Sequence, residues 1–170
     1  HPGSHLRKLT PQAACVRVAQ SMNTALAQTQ GVTLVIENTA GSGGNLGAPF
    51  EELRTIIDGV DDKSRVGVCL DTMHTFAAGF DIRTRDGFLA TMEHFDRTVG
   101  FTYLRCMHIN DSKVALNSHV DRHESLGQGL LGIEVFRCLM ADARFENMPL
   151  VLETPDETLW EREIQQLMEM

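Results

Sequence analysis

No run of apolar residues in this 170-residue chain approaches the length of about eighteen that a membrane span needs. The polar N-terminus has no apolar stretch of the kind a secretory signal carries. Cysteine is sparse: Cys15, Cys69, Cys106 and Cys138 form no C-x-x-C pair, and each falls in an apolar, periodic stretch. Buried free thiols in a reducing compartment are expected, rather than a disulfide framework. Positive charge is also short, with 15 Lys and Arg against 23 Asp and Glu and a net charge of −8. That argues against a broad basic face for nucleic acid. Bound metal ions can nevertheless reverse the sign of a local field. No G-x-G-x-x-G follows a strand, because "GSGGNLG" (41–47) comes too late and has the wrong spacing, so a dinucleotide site is not supported. There is no low-complexity tract.

What remains is an ordinary globular composition, 42% hydrophobic and 22% charged. Four short apolar runs stand out: "GVTLVIE" (31–37), "RVGVCLD" (65–71), "FTYLRCMHI" (101–109) and "MPLVLE" (148–153). They alternate little between apolar and polar, as parallel strands buried on both faces do. Helical patterns lie at roughly 11–29, 48–58, 85–98, 132–141 and 157–169. Thr10-Pro11 and Asp156 read as helix starts, and Gly31, Gly59 and Gly100 fall where helices should stop. The order is repeated βα with a parallel sheet, which fits either a doubly wound sheet or a (β/α)8 barrel.

The strands end on Glu37, Asp71, His108 and Glu153. In a barrel these side chains would meet at the C-terminal rim, where that fold places its chemistry. Acids also favour helix N-termini, but that preference does not account for four strands out of four. Oxygen and nitrogen donors without thiolates suit Zn²⁺ or Mn²⁺, and less well Mg²⁺ or Fe²⁺. Three carboxylates and a histidine can hold two ions through a bridging carboxylate, an arrangement suited to phosphoryl or isomerase chemistry. A second cluster follows in the loops. His74 stands three residues after Asp71, and Asp121 and His123 lie in "VDRHESLGQG", within a long segment (110–131) without evident secondary structure. Two histidines and a carboxylate can hold one tetrahedral zinc with an open position. His94 is expected on a helix surface, His119 in a loop and His5 at the start of the first helix. Met22, Met92, Met140 and Met168 are expected to fill the core.

Six motifs in order, "HPGSHL" (1–6), "VIENTAGSGGNLG" (35–47), "GVCLDTMHTFAAGFD" (67–81), "MHINDSK" (107–113), "DRHESLGQG" (121–129) and "LETP" (152–155), resemble the endonuclease IV family of apurinic/apyrimidinic endonucleases. The resemblance implies a TIM barrel that holds three metal ions, usually zinc, and cleaves double-stranded DNA on the 5′ side of an abasic site. By motif, Glu37 would bridge two metals and His1 would share the first of them. Asp71, His108 and Glu153 would complete the ligands of the second ion, and His74, Asp121 and His123 would hold the third. Glu37 and Glu153 would be the catalytic carboxylates. A leading Gly-Ser-His can be the scar of a cleaved tag, but on this resemblance HPGS is native sequence.

The resemblance further implies that residues 1–170 are the C-terminal part of a single, incomplete barrel domain. Such barrels typically run to about 250 residues, so a missing N-terminal half would be needed and the isolated piece would be impaired. Arg122 and Lys113 would contact phosphate, or else are plain surface charges. Family members often have Cys where Met73 stands and an acid where Gln128 stands. An intracellular protein is implied, cytoplasmic if bacterial and in the nucleus or mitochondrion if eukaryotic. Two other readings stay open. One is a xylose-isomerase-like sugar isomerase or epimerase, whose strand ends carry the same residue types. The other is a noncatalytic metal- or DNA-binding remnant.

Overall fold

Along β2 (Val66–Asp71) every residue is buried. Val66, Val68 and Leu70 join the main core on the helix side, and by the alternation of a strand Gly67, Cys69 and Asp71 face the other way. The computed structural model describes residues 1–170 and places β2 between two parallel neighbours, β1 (Leu34–Glu37) and β3 (Leu104–His108). A fourth parallel strand, β6 (Leu150–Val151), flanks β3, giving the order β1-β2-β3-β6. The order never reverses, whereas a doubly wound sheet must reverse at its switch point. The sheet is therefore an arc of a barrel, with unpaired edges at β1 and β6.

Helices α1 (Pro11–Ala27), α2 (Phe50–Gly59), α4 (Arg85–Thr98), α5 (Glu134–Met140) and α6 (Trp160–Met168) alternate with these strands. As the sequence suggested, Thr10 caps α1, its hydroxyl accepting from Ala13 N at 3.2 Å, with Pro11 in the first turn. At Gly59 an added Cβ would lie 2.7 Å from Ala19 Cβ, so the small residue lets α2 cross close to α1. Phe50 stacks on Phe80 at 4.4 Å between ring centroids and meets Phe95 edge-on at 5.4 Å, filling the layer under α2 and α4. No helix is long and apolar enough to cross a membrane.

Several expectations need correcting. The run 148–153 pairs only at Leu150 and Val151, so Glu153 lies two residues beyond the strand rather than at its end. The Phe101–Tyr103 segment is a 3-10 turn before β3, and Asp156 caps a 3-10 turn (Glu157–Leu159) ahead of α6. The segment 110–131 contains a small antiparallel pair, β4 (Asp111–Ser112) with β5 (His123–Glu124). A further helix, α3 (Thr72–Ala77), starts directly off β2, where the Asp71 carboxylate accepts from His74 N at 2.7 Å. All four cysteines are free, but only Cys15 and Cys69 are buried. Cys106 and Cys138 are half-buried, Cys138 packing against the main core from α5. Met22 and Met92 fill the core as expected, whereas Met140 and Met168 end their helices exposed.

One irregularity sets the geometry of the rim. Val68 pairs with Leu104, but the next residue, Cys69, pairs with Cys106, so Arg105 is an extra residue in β3. This β-bulge brings His108 level with Asp71; an unbroken register would have put Met107 there. The Arg105 side chain lies over Gly67, where an added Cβ would stand 2.3 Å from Arg105 Cγ and 3.1 Å from the Tyr103 carbonyl. Gly67→Ala is expected to destabilise the chain by about 1–3 kcal/mol through overpacking and to disturb the bulge. Urea unfolding measures the first effect, and His108-dependent metal affinity measures the second. A variant as stable as the parent would show that the bulge tolerates a methyl group.

Candidate metal centre

Parallel pairing puts the C-terminal ends of β1, β2 and β3 side by side, so Glu37, Asp71 and His108 meet without further arrangement. Glu153 follows just past β6. His108 Nδ1 stands 2.9 Å from Glu37 Oε1, 3.1 Å from Glu153 Oε2 and 4.0 Å from Asp71 Oδ2. These four residues present donor atoms within 4.8 Å of one another, as do His1, Glu37 and His74, and also Asp71, His74 and His123. His74 therefore belongs to two sets rather than to the third alone. Its Nδ1 stands 3.2 Å from Glu37 Oε1 and its Nε2 3.1 Å from Asp121 Oδ2. His123 Nε2 lies 3.4 Å from Asp121 Oδ1. His1 stands off furthest, its Nε2 3.7 Å from Glu37 Oε2 and its side chain 41% exposed.

The hydrogen bonds fix which ring nitrogens are free. His74 Nδ1 donates to the Asn38 carbonyl and His123 Nδ1 to the Glu153 carbonyl, each at 3.0 Å. A carbonyl only accepts, so Nδ1 carries a proton and Nε2 is the nitrogen left to bind an ion. Both Nε2 atoms are buried and make no hydrogen bond. Buried polar atoms are normally satisfied, and two such orphans on one carboxylate need an explanation. A divalent ion would supply it, since metal-binding histidines characteristically donate their other N–H to a carbonyl or carboxylate. The residues present fit zinc-type ligation.

Neutral side chains that the sequence reading passed over hold the carboxylates in place. Asn110 donates from Nδ2 to Asp71 Oδ2 at 2.6 Å and accepts from Glu153 N at 2.9 Å. Asn38 accepts from Asp71 N at 2.7 Å and donates to the Thr75 hydroxyl at 3.1 Å. Thr72 ties back by donating to the Asn110 carbonyl at 2.6 Å. All are buried, and each stands within two residues of a strand-end ligand, the one signal by which they could have been found. His119, expected as a plain loop residue, latches its loop onto the glycine-rich turn. Its Nδ1 donates to the Ala40 carbonyl, and the Ser42 hydroxyl donates to the His119 carbonyl. Gly41, at φ +82°, lies too close to this ring for a side chain. His5 belongs to a loop pinned to Gly44, and His94 lies on α4 beside Glu51 and Phe50.

Met73 is fully buried against Ala40 and Ala77. Of the expected phosphate contacts, Arg122 donates to the Asp121 carbonyl and Lys113 sits 3.9 Å from Glu124. Neither reaches the ligand cluster.

Electrostatics follow from the crowding. Burial would raise the Glu37 carboxyl, but hydrogen bonds from His108 and His74 bring it down to about 2. Burial would lower the His74 imidazole, but the Glu37 hydrogen bond and the charges of Asp71 and Asp121 lift it to about 9. The hydrogen bond His108 gives to Glu37 likewise raises His108. Metal-free, the depressed Glu37 stabilises the fold fully above its ordinary value of 4.5, an effect lost as pH falls toward 2. The raised His74 stabilises it fully below 6.5, an effect lost as pH rises through about 9. Both contributions are complete only between 4.5 and 6.5. A divalent ion must displace the His74 proton, so Co²⁺ or Zn²⁺ binding should release protons and tighten as pH rises from 6.5 to 9. Titration in weakly buffered solution measures this. Affinity independent of pH over that range would remove His74 from the ligand set.

The family described as xylose isomerase-like TIM barrel matches residues 1–170. Among solved structures, endonuclease IV from Thermus thermophilus is similar at 36% identity and a TM-score of 0.80, over 99% of this chain and 60% of that one. The structure of AsfvAP:AG is similar at 18% identity and a TM-score of 0.65, over 89% of this chain and 56% of that one, and speaks to the fold alone. The chain thus spans about 60% of the length of the endonuclease IV it matches. The likeness to endonuclease IV read from the motifs is borne out by this match.

Proposed function

The chain belongs to the xylose isomerase-like TIM-barrel family, and from that premise we propose that it carries the metal-binding rim of an endonuclease. The enzyme would hydrolyse double-stranded DNA on the 5′ side of abasic sites. The observation that carries this reading is the pair of orphaned Nε2 atoms of His74 and His123 on either side of Asp121. They add a third ion position to the Glu37, Asp71, His108 and Glu153 set. A sugar isomerase of the same family, with the same residue types at its strand ends, has no use for that third position. The similar Thermus protein is by name an endonuclease, which agrees.

Zinc ions bound here would supply Lewis acidity and positive charge for attack on a phosphodiester and for departure of its 3′ oxygen. With three ions the site would carry net positive charge despite its four carboxylates. Glu37 lies between His74 and His108 and is placed to join two ion positions. Glu153 is the most open carboxylate of the set, its side chain 44% exposed, and an incoming phosphate would meet it first. Asn110 fixes Asp71 and the Glu153 backbone together, so the two cannot drift apart as charge changes. An abasic nucleotide has no base to unstack, so drawing it out of the duplex to this rim costs less than flipping a paired one. The activity is assigned to a closed barrel containing this arc, and the arc alone should incise weakly.

His123→Ala in such a closed barrel should lower zinc content by about one ion. It should reduce incision by more than the roughly 10–100-fold that loss of an outer hydrogen-bond partner costs. An unchanged metal count by elemental analysis would remove His123 as a ligand. Full incision with one ion fewer would show that the third ion is not needed and leave an isomerase-like two-metal site.

Glu153→Gln keeps the side chain's shape but removes a charge that binds a cation. Loss of abasic-site incision is expected, with the circular dichroism spectrum unchanged. Incision at the parent rate would reduce Glu153 to an acid that merely follows the last strand.

A further inference from the structure

Helix α6 contributes no donor atom to the candidate metal centre, yet it buries a carboxylate. Glu163 is 4% exposed and shares its helix face with Leu167, one turn on, which packs into the main core. An apolar residue would be the ordinary occupant. No lysine or arginine pairs with Glu163, and burying a lone carboxylate is costly unless hydrogen bonds satisfy it. Two do: its Oε1 accepts from Leu126 N at 2.8 Å and its Oε2 from the Thr154 hydroxyl at 2.6 Å. Leu126 lies three residues after His123, and Thr154 directly follows Glu153. Between these segments His123 Nδ1 donates to the Glu153 carbonyl at 3.0 Å. The Thr154 carbonyl also accepts from the Trp160 indole at 3.1 Å, so α6 holds this residue at two points.

The hydrogen bonds close a ring from Glu163 through Leu126, His123, Glu153 and Thr154 back to Glu163. We propose that Glu163 is a positioning residue that sets the distance between the loop bearing His123 and the segment bearing Glu153. Those two ligands come from segments 30 residues apart, and the last strand holds only Leu150 and Val151. Without Glu163, the only direct link between them is the bond from His123 to the Glu153 carbonyl. The direction of His123 Nε2, the orphaned atom, then depends on how firmly that carbonyl is held. The inference rests on the metal-centre reading above.

The test is a Co²⁺ titration of the metal-free full chain, followed by visible absorption, with His123→Ala identifying the bands of its ion. Glu163→Ala should weaken that ion roughly 10–100-fold and alter its ligand-field bands. Glu163→Gln should stay close to the parent. Its amide oxygen can accept from Leu126 N, and its NH₂ can donate to the Thr154 hydroxyl, which turns to accept. Thr154→Val should weaken the same ion, and Thr154→Ser should restore it. The Thr154 pair decides the matter if Glu163→Ala does not fold. Folded Glu163→Ala or Thr154→Val protein that binds Co²⁺ with parent affinity and spectrum would overturn the proposal while leaving the metal centre intact. So would a Glu163→Gln variant as defective as Glu163→Ala. A parent chain that binds no Co²⁺ at all would sink the metal centre and this inference together.

Discussion

Four carboxylates, those of Glu37, Asp71, Asp121 and Glu153, share one rim, and no lysine or arginine is paired with any of them. Like charges this close repel strongly, the more so because Asp71 is wholly buried. Protein cations could relieve the repulsion, but they would occupy the space a divalent ion needs. The chain instead uses groups that can yield. Histidines can take a proton in place of an ion, and in the metal-free chain the carboxylates raise His74 and His108 while these histidines hold Glu37 low. Much of the local architecture is a consequence of this one constraint.

The carboxylates have to be held by neutral donors, because charged ones would compete for them. The Asn110 amide and the backbone N–H of His74 donate to the Asp71 carboxylate, while Asn38 and Asn110 accept from the backbone N–H of Asp71 and Glu153 and Thr72 ties back Asn110. Asp71 is a strand end, a helix cap and a candidate ligand at once, which is why α3 begins with no intervening loop. Asp111 does a similar service farther out. It is fully buried, accepts from Gly129 N and Leu131 N, and so folds the end of the long 110–131 segment back onto the barrel. Loops that would otherwise be costly to order are thereby fixed close to the ligands they carry.

Strands and helices were legible in the sequence wherever periodicity and capping acted locally, as at Thr10 and along 85–98. The strand-end residues were legible because parallel strands bring their C-terminal ends together whatever lies between. Strand order was not, and it decides between a doubly wound sheet and a barrel. The bulge at Arg105 was hidden too, since it depends on register between strands rather than on any residue in β3 alone. Asn38 and Asn110 were missed because their bonds span 33 to 43 residues of sequence. Helix α3 was missed because "TMHTFA" has weak helix formers in it, and the Asp71 cap, not propensity, starts it.

Charge is where composition misleads most. A net charge of −8 points away from a polyanionic substrate when read over the whole chain. Part of that negative count, however, is the candidate ligand set itself, four acids gathered where they would attract cations rather than repel phosphate. A metal site built from carboxylates makes a protein look more acidic in the sequence than it is at the point of contact once the ions are in place. The quantity that matters for binding a phosphodiester is the charge of the rim with its ions. On that measure an acidic chain and a DNA substrate are compatible, because the residues that lower the total are the ones that hold the compensating charge.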